Sequence, residues 1–206
     1  MVGTIIPIVY GERHQGRRET GLWLHAVGAA IGSAGVGALL GLLGAARLSD
    51  AQVVRQGAVL AGLGWVHVAL AQRDFGVWSI RLPQSRWQVP WHWQFRMSRR
   101  LVAFVYGLTL GGGLLTAISS SAYYLLLAWV VLMGSPWLGA VLMGAYGVAR
   151  VAPLFAVIAG AGDYEEVTRR EEILVRWQPA VDVVSGVALA ASGGWLLGAA
   201  IVQTWS

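Results

Sequence analysis

The chain has 206 residues, of which 56% are hydrophobic and 12% charged, with a net charge of +5 and no cysteine. A soluble domain carries roughly 25% charged residues, so the composition and a mean hydropathy of +0.60 exclude an ordinary water-soluble globule. The missing cysteines exclude disulfide frameworks, thiolate metal sites and thiol catalysis, and the length leaves a single transmembrane domain, 1–206, with no room for a separate soluble one.

In chain order, Met1 to Tyr10 is apolar but only about half the length that a helix needs to cross a bilayer. It reads as a half-helix or as the remainder of a first span; with no basic n-region or small-residue cleavage site, a signal peptide is not expected. Full spans are predicted at Leu22–Ala46, Val53–Ala71, Leu101–Met133, Trp137–Ala161 and Ala180–Val202, all helical because only helices or closed barrels satisfy their backbone groups in lipid. From Leu101 to Ala149 there is no Asp, Glu, Lys or Arg, and the Gly134-Ser135-Pro136 turn divides that stretch into two crossings. The predicted fold class is therefore all-α, a polytopic integral membrane helix bundle of about six transmembrane elements. Three elements precede the connection 72–100 and three follow it, a count that permits an inverted 3+3 repeat, although the halves share no convincing sequence identity. The glycines, 28 in all, suit close helix contact in lipid better than a phosphate loop.

The arginines encode orientation. Arg13, Arg17 and Arg18, then Arg73, Arg81, Arg86, Arg96, Arg99 and Arg100, then Arg169, Arg170 and Arg176 fall on alternate connections. The positive-inside rule places these connections in the cytoplasm and the C-terminus outside, in the cytoplasmic (inner) membrane of a prokaryote. In the basic connection, Trp78, Trp87, Trp91 and Trp93 are interleaved with arginine; at a membrane face such a pattern anchors to the interface and anionic lipid. The expected partners are thus the bilayer and other membrane proteins, not nucleic acid. The charged segment 161–178 has acids and bases at helical spacing, with Glu166–Arg170 and Glu172–Arg176 as i,i+4 pairs, and reads as a solvated cytoplasmic helix in preference to a cation site.

Polar residues within spans are the candidate site residues, because each is costly in lipid. The stretch Leu101–Met133 is too long for a straight crossing and holds Gly111-Gly112-Gly113, Thr116 and Ser119-Ser120-Ser121. Either it breaks in the middle, with the serine hydroxyls capping freed backbone groups, or it is an intact tilted helix. His25 and His67 are expected at matched depth on adjacent antiparallel helices. There they either hold a haem, pigment or metal between two rings or serve as interfacial histidines bonded to backbone or water. Arg150 lies deep in its span, and Asp182, the one acid within a predicted span, is its expected partner, as a structural bridge or as an anion-binding gate.

A family resemblance rests on F-G-V-W-S-I-R-L-P at Phe75 to Pro83, Q-V-P at Gln88 to Pro90, G-S-P at Gly134 to Pro136, A-Y-G-V-A-R-V-A-P at Ala145 to Pro153, and T-I-I-P-I-V-Y at Thr4 to Tyr10 followed by Arg17-Arg18. In this pattern the chain resembles the CcdA and DsbD transmembrane type of cytochrome c biogenesis, within a LysE-like superfamily. That resemblance implies a Cys-x-x-Pro in the first helix and a second cysteine in a later one. Here Thr4, followed by Pro7, and one of Ser119 to Ser121 take those places, and a hydroxyl cannot perform thiol exchange. The resemblance therefore implies a cysteine-free scaffold acting as a small-solute carrier or a periplasmic protein or cytochrome maturation factor, with Thr4, Pro7, Ser119, Ser120, Ser121, Arg150 and Asp182 on its pathway. The alternative is a structural or electron-transfer subunit of a larger membrane complex with a bis-histidine site at His25 and His67. No Walker loop, H-E-x-x-H or nucleophile elbow occurs, so an enzyme is not expected.

Overall fold

The computed structural model describes residues 15–47, 57–82, 96–113, 121–162 and 164–205. Among them are six helices and no strand: α1 (Gln15–Arg47), α2 (Gly57–Asp74), α3 (Arg99–Gly111), α4 (Ser121–Met133), α5 (Pro136–Ile158) and α6 (Tyr164–Trp205). Three stretches are long and apolar enough to cross a membrane: Glu19–Ala46, Pro136–Ile158 and Glu165–Gln203. The all-α membrane architecture expected from composition is thus present.

α1 is the hub, packing along α3 and α5 and, further on, against α4. Its sequence explains why. Gly28 and Gly32 lie one turn apart, and they cross Gly107 and Gly111, spaced the same way on α3. A Cβ on Gly28 would overlap the Phe104 carbonyl and one on Gly32 that of Leu108; on Gly107 it would meet the carbonyl of His25 and on Gly111 that of Ala29. Two such motifs let the backbones themselves touch, which replaces the hydrophobic driving force that lipid cannot supply. Further along, Gly37 faces Gly139 of α5, and Gly44 faces Val131 of α4. The opposite surfaces carry the large apolar side chains: Leu39, Val184 and Trp195 are 68%, 69% and 71% exposed. Small groups inside and large apolar groups outside match a bundle solvated by lipid.

α2 pairs with α6 and makes little contact with α1. Gly64 and Gly193 approach each other there, with Leu60, Leu196 and Ala200 packed alongside. The hairpin between α4 and α5 forms as the G-S-P sequence dictates: Gly134 has φ +56°, the Ser135 hydroxyl accepts the Leu138 N–H at 3.4 Å, and Pro136 opens α5.

α6 joins into one 42-residue helix what the sequence divides into a cytoplasmic helix and a span. Pro179 lies within it and removes the bond to the Val175 carbonyl, but Val175 and Trp177 are exposed, so solvent or headgroups can serve that turn. The seven charged residues between 165 and 176 keep the first third out of the hydrocarbon. Arg170 bonds the carbonyls of Ala159, at 2.7 Å, and Ala156, closing the C-terminus of α5, and it also pairs with Glu166 as the i,i+4 spacing predicts. The Gly162 N–H, followed by Arg170, holds the Glu166 carboxyl below the usual carboxylate range. The contact therefore survives mild acid and is lost only as pH falls through that lowered value.

Candidate functional site

Of the two readings of Leu101–Met133, the broken helix is the one the described residues support: α3 ends at Gly111, Gly113 takes φ +66°, and α4 begins at Ser121. The two helices, of 13 residues each, follow one another along α1, α3 on its first half and α4 on its second. A helix end inside lipid exposes carbonyls that must find donors. Ser33 of α1, fully buried, donates to the Gly111 carbonyl at 2.6 Å; Arg150 of α5 donates to that of Leu110 at 3.0 Å; and the Tyr123 hydroxyl of α4 reaches that of Gly112 at 3.4 Å. Three neighbouring helices thus cap the break.

Arg150 bonds the end of α3 and not the expected Asp182. The salt bridges between described residues are Arg73–Asp74 and Arg170–Glu166, and Asp182 instead accepts from the Gln178 amide at 2.9 Å. The guanidinium lies among Tyr106, Tyr123 and Tyr146 and answers the negative end of the α3 dipole. Arg150→Ala is expected to lower folded yield and cellular function in proportion, with a cost of about 2 kcal/mol for a charged hydrogen bond. Measuring membrane-extracted protein beside function checks this, and function lost at unchanged protein level would contradict it.

Ser121 does not cap α3; its hydroxyl goes to Asp74. Thr4, Pro7, Ser119 and Ser120 lie outside the described residues. Ser121, fully buried at the start of α4, gives its hydroxyl proton to the Asp74 carboxylate. Asp74, the last residue of α2 with a side chain 6% exposed, also accepts from Ser185 of α6 at 2.8 Å and pairs with Arg73 at 3.0 Å. Arg73 completes the cluster with bonds to Ser121 Oγ at 2.9 Å and the Ile80 carbonyl at 3.0 Å. Asp74 is held at this point by the end of its own helix. Gly76, φ +75°, lets the Gly76 and Val77 amides turn back to the Arg73 and Gln72 carbonyls, a Schellman closure, and Phe75 fills the space left by Gly186 of α6. The sequence carries one signal for this acid that the span-by-span reading passed over: it is the only one between Asp50 and Asp163.

Beside this cluster is an open cavity of about 480 Å³, lined by Arg73, Asp74, Trp78, Ser79, Ile80, Gln178 and Asp182. Two of the predicted pathway residues, Ser121 and Asp182, are thereby brought to the same end of the α2–α6 pair, while Arg150 stands apart in the α1/α3/α5 core.

His25 and His67 do not face each other. His25, buried on α1, places Nδ1 3.3 Å from the Ala103 carbonyl of α3 and its ring beside Tyr106. His67, buried on α2, places Nδ1 2.8 Å from the Leu63 carbonyl and accepts the Trp129 indole N–H on Nε2 at 3.3 Å. An acceptor Nε2 fixes the Nδ1–H tautomer, so both nitrogens of His67 are engaged by protein and no lone pair is left to ligate. The hairpin neighbourhood assumed for α1 and α2 is absent because α1 spends its glycine faces on α3 and α5. No group of three metal-binding side chains occurs among the described residues.

Fold and site together define a membrane helix bundle with a polar cavity at one end. Comparison with known proteins then gives a direction. The chain is 30% identical to methylamine utilization protein MauF of Methylophilus methylotrophus over 167 residues, 81% of this chain and 56% of that protein. It is 30% identical to MauF of Methylorubrum extorquens over 84% of this chain and 59% of that one, and 31% identical to MauF of Paracoccus versutus over 82% and 60%. The chain thus spans less than two thirds of the length of these curated relatives. No family model matches it, and no solved structure does so.

These findings correct the CcdA/DsbD resemblance and the roles drawn from it, a cysteine-free small-solute carrier or a periplasmic protein or cytochrome maturation factor, and they give no better support to the alternative of a structural or electron-transfer subunit of a larger membrane complex. The glycine, proline and arginine pattern that carried the resemblance is what close packing, hairpin turns and orientation require of many membrane bundles. The Gly134 turn and the Arg150 contact show the same residues in those structural roles here.

Proposed function

We propose that this chain is a MauF-like membrane protein that serves methylamine utilization as a binding or assembly component, not as a catalyst. The observation that carries this reading is the similarity to MauF proteins over four fifths of the chain. The lipid-facing apolar surfaces support its place in a membrane, and the arginine distribution supports the cytoplasmic membrane with the C-terminus outside. Because α3 and α4 share one length of α1, we read five passes within a single domain, 1–206; a sixth element and a 3+3 repeat would need residues 1–14, outside the described structure. Other membrane proteins of the same process are its partners in this reading. Asp74 supports a non-catalytic role, since Arg73, Ser121 and Ser185 already occupy its carboxylate.

Complementation tests the proposal. In Methylorubrum extorquens lacking its own MauF, the chain, alone or fused to the part of that MauF it does not span, is expected to restore growth on methylamine. Growth on an unrelated carbon source should not change. Failure of both forms, with the protein present in the membrane, would overturn the reading.

A further inference from the structure

Asp182 is a charged residue for which the packing supplies no opposite charge among the described residues. It lies on α6 beyond the charged first third, is half-buried, and has the Gln178 amide as its hydrogen-bond partner among the described residues. The cation among the described residues that line the same cavity, Arg73, is engaged by Asp74, Ser121 and Ile80. Among the described residues the cavity wall thus carries two carboxylates and one guanidinium, and the charge left over belongs to Asp182.

The rest of the lining says which cation suits it. A bare divalent ion takes six or more oxygens, and with Asp74 committed to its own donors one carboxylate does not supply them. Trp78 and Ile80 also line the cavity, and an indole ring attracts an organic cation while an aliphatic side chain suits its carbon substituent. A carboxylate, an aromatic ring and an aliphatic side chain around one opening are complementary to a charged amine bearing a short carbon substituent. The volume, about 480 Å³, lies within the ~300–1,000 Å³ of small-ligand sites and leaves room for water or a larger headgroup.

We propose that this cavity binds a primary ammonium group, its N–H bonds directed to Asp182 and its charge set against Trp78. The inference rests on the methylamine reading for one source of that chemistry, free methylammonium. The other is the ethanolamine headgroup of a membrane lipid, which presents the same ammonium at the bilayer face.

The test uses the full chain in phosphatidylcholine nanodiscs in 100 mM NaCl, titrated calorimetrically with methylammonium chloride. Saturable binding is expected, weakened at least tenfold in Asp182→Asn, several-fold in Trp78→Ala, and largely kept in Asp182→Glu. In nanodiscs containing phosphatidylethanolamine, unchanged methylammonium affinity identifies the free amine as the occupant. A tenfold loss there, or phosphatidylethanolamine retained by the wild type and released by Asp182→Asn, identifies the headgroup. The proposal is overturned by the absence of both kinds of binding, by Asp182→Asn binding within twofold of wild type, or by sodium competing as well as methylammonium. Complementing protein that binds no ammonium would sink this site alone, whereas an ammonium-binding protein that fails to complement would sink the methylamine reading alone.

Discussion

Valine at Gly32 or Gly107 is expected to prevent the bundle from folding, whereas alanine at Gly198 is expected to leave it intact. At the first two positions a Cβ would overlap a backbone carbonyl of the facing helix, Leu108 and His25 respectively. A side chain can rotate out of the way, but a carbonyl inside a helix cannot, so α1 and α3 must separate. Overpacking costs ~1–3 kcal/mol when neighbours are side chains, and these sites belong at or above the upper end. Separation also moves the Gly111 carbonyl away from Ser33 and that of Leu110 away from Arg150, leaving the end of α3 uncapped. Against a total stability of ~5–15 kcal/mol that loss is decisive. Around Gly198 nothing lies within 4 Å of the added atom, so alanine there brings only its better helix propensity, less than ~1 kcal/mol. Thermal unfolding in detergent, read by circular dichroism, distinguishes the two cases. Equal melting of all three variants would remove the glycine seam as the basis of the fold.

The all-α, membrane-type character was legible in the sequence because hydrocarbon imposes a simple rule on charge, and three helices are long and apolar enough to cross. The uncharged run from Leu101 to Ala149 and the Gly134-Ser135-Pro136 turn could be converted directly into helices and a hairpin, while the triple glycine left a broken and an intact helix open. The pairing of polar groups was not legible, for two physical reasons. Arg150 bonds the backbone carbonyl of Leu110, and every residue has a carbonyl, so no letter marks it. Which helix lies beside which depends on the rotation of each about its axis, where successive residues turn by about 100°, and small residues decide it by permitting approach. Chain neighbours α1 and α2 were therefore a poor guide. The glycines of α1 select α3 and α5, and His25 and His67 end in separate environments. The Asp74 cluster joins residues 73, 74, 121 and 185, a set that only the packed helices bring together.

Removal of the Asp74 carboxylate is expected to have the other large effect. Breaking a buried ion pair from one side costs ~3–5 kcal/mol, because the remaining charge is left without a partner in a poor solvent. Arg73 is 20% exposed and can recover some hydration, which places Asp74→Ala near the lower end, at about 3 kcal/mol. Asp74→Asn keeps an acceptor for one of the two hydroxyls and should cost less, while Ser185→Ala loses a single hydrogen bond and about 1 kcal/mol. Since the carboxylate ties α2 to both α4 and α6, its loss should show first as loosening of α2: faster amide exchange in 57–74 while α1, α3 and α5 stay protected. The cycle through Arg73→Ala supplies the control, because removing both charges should cost clearly less than the sum of the single changes. Additive costs would mean that Arg73 and Asp74 act independently, and a change below about 1 kcal/mol in Asp74→Ala would mean that glycine packing alone holds α2 on α6.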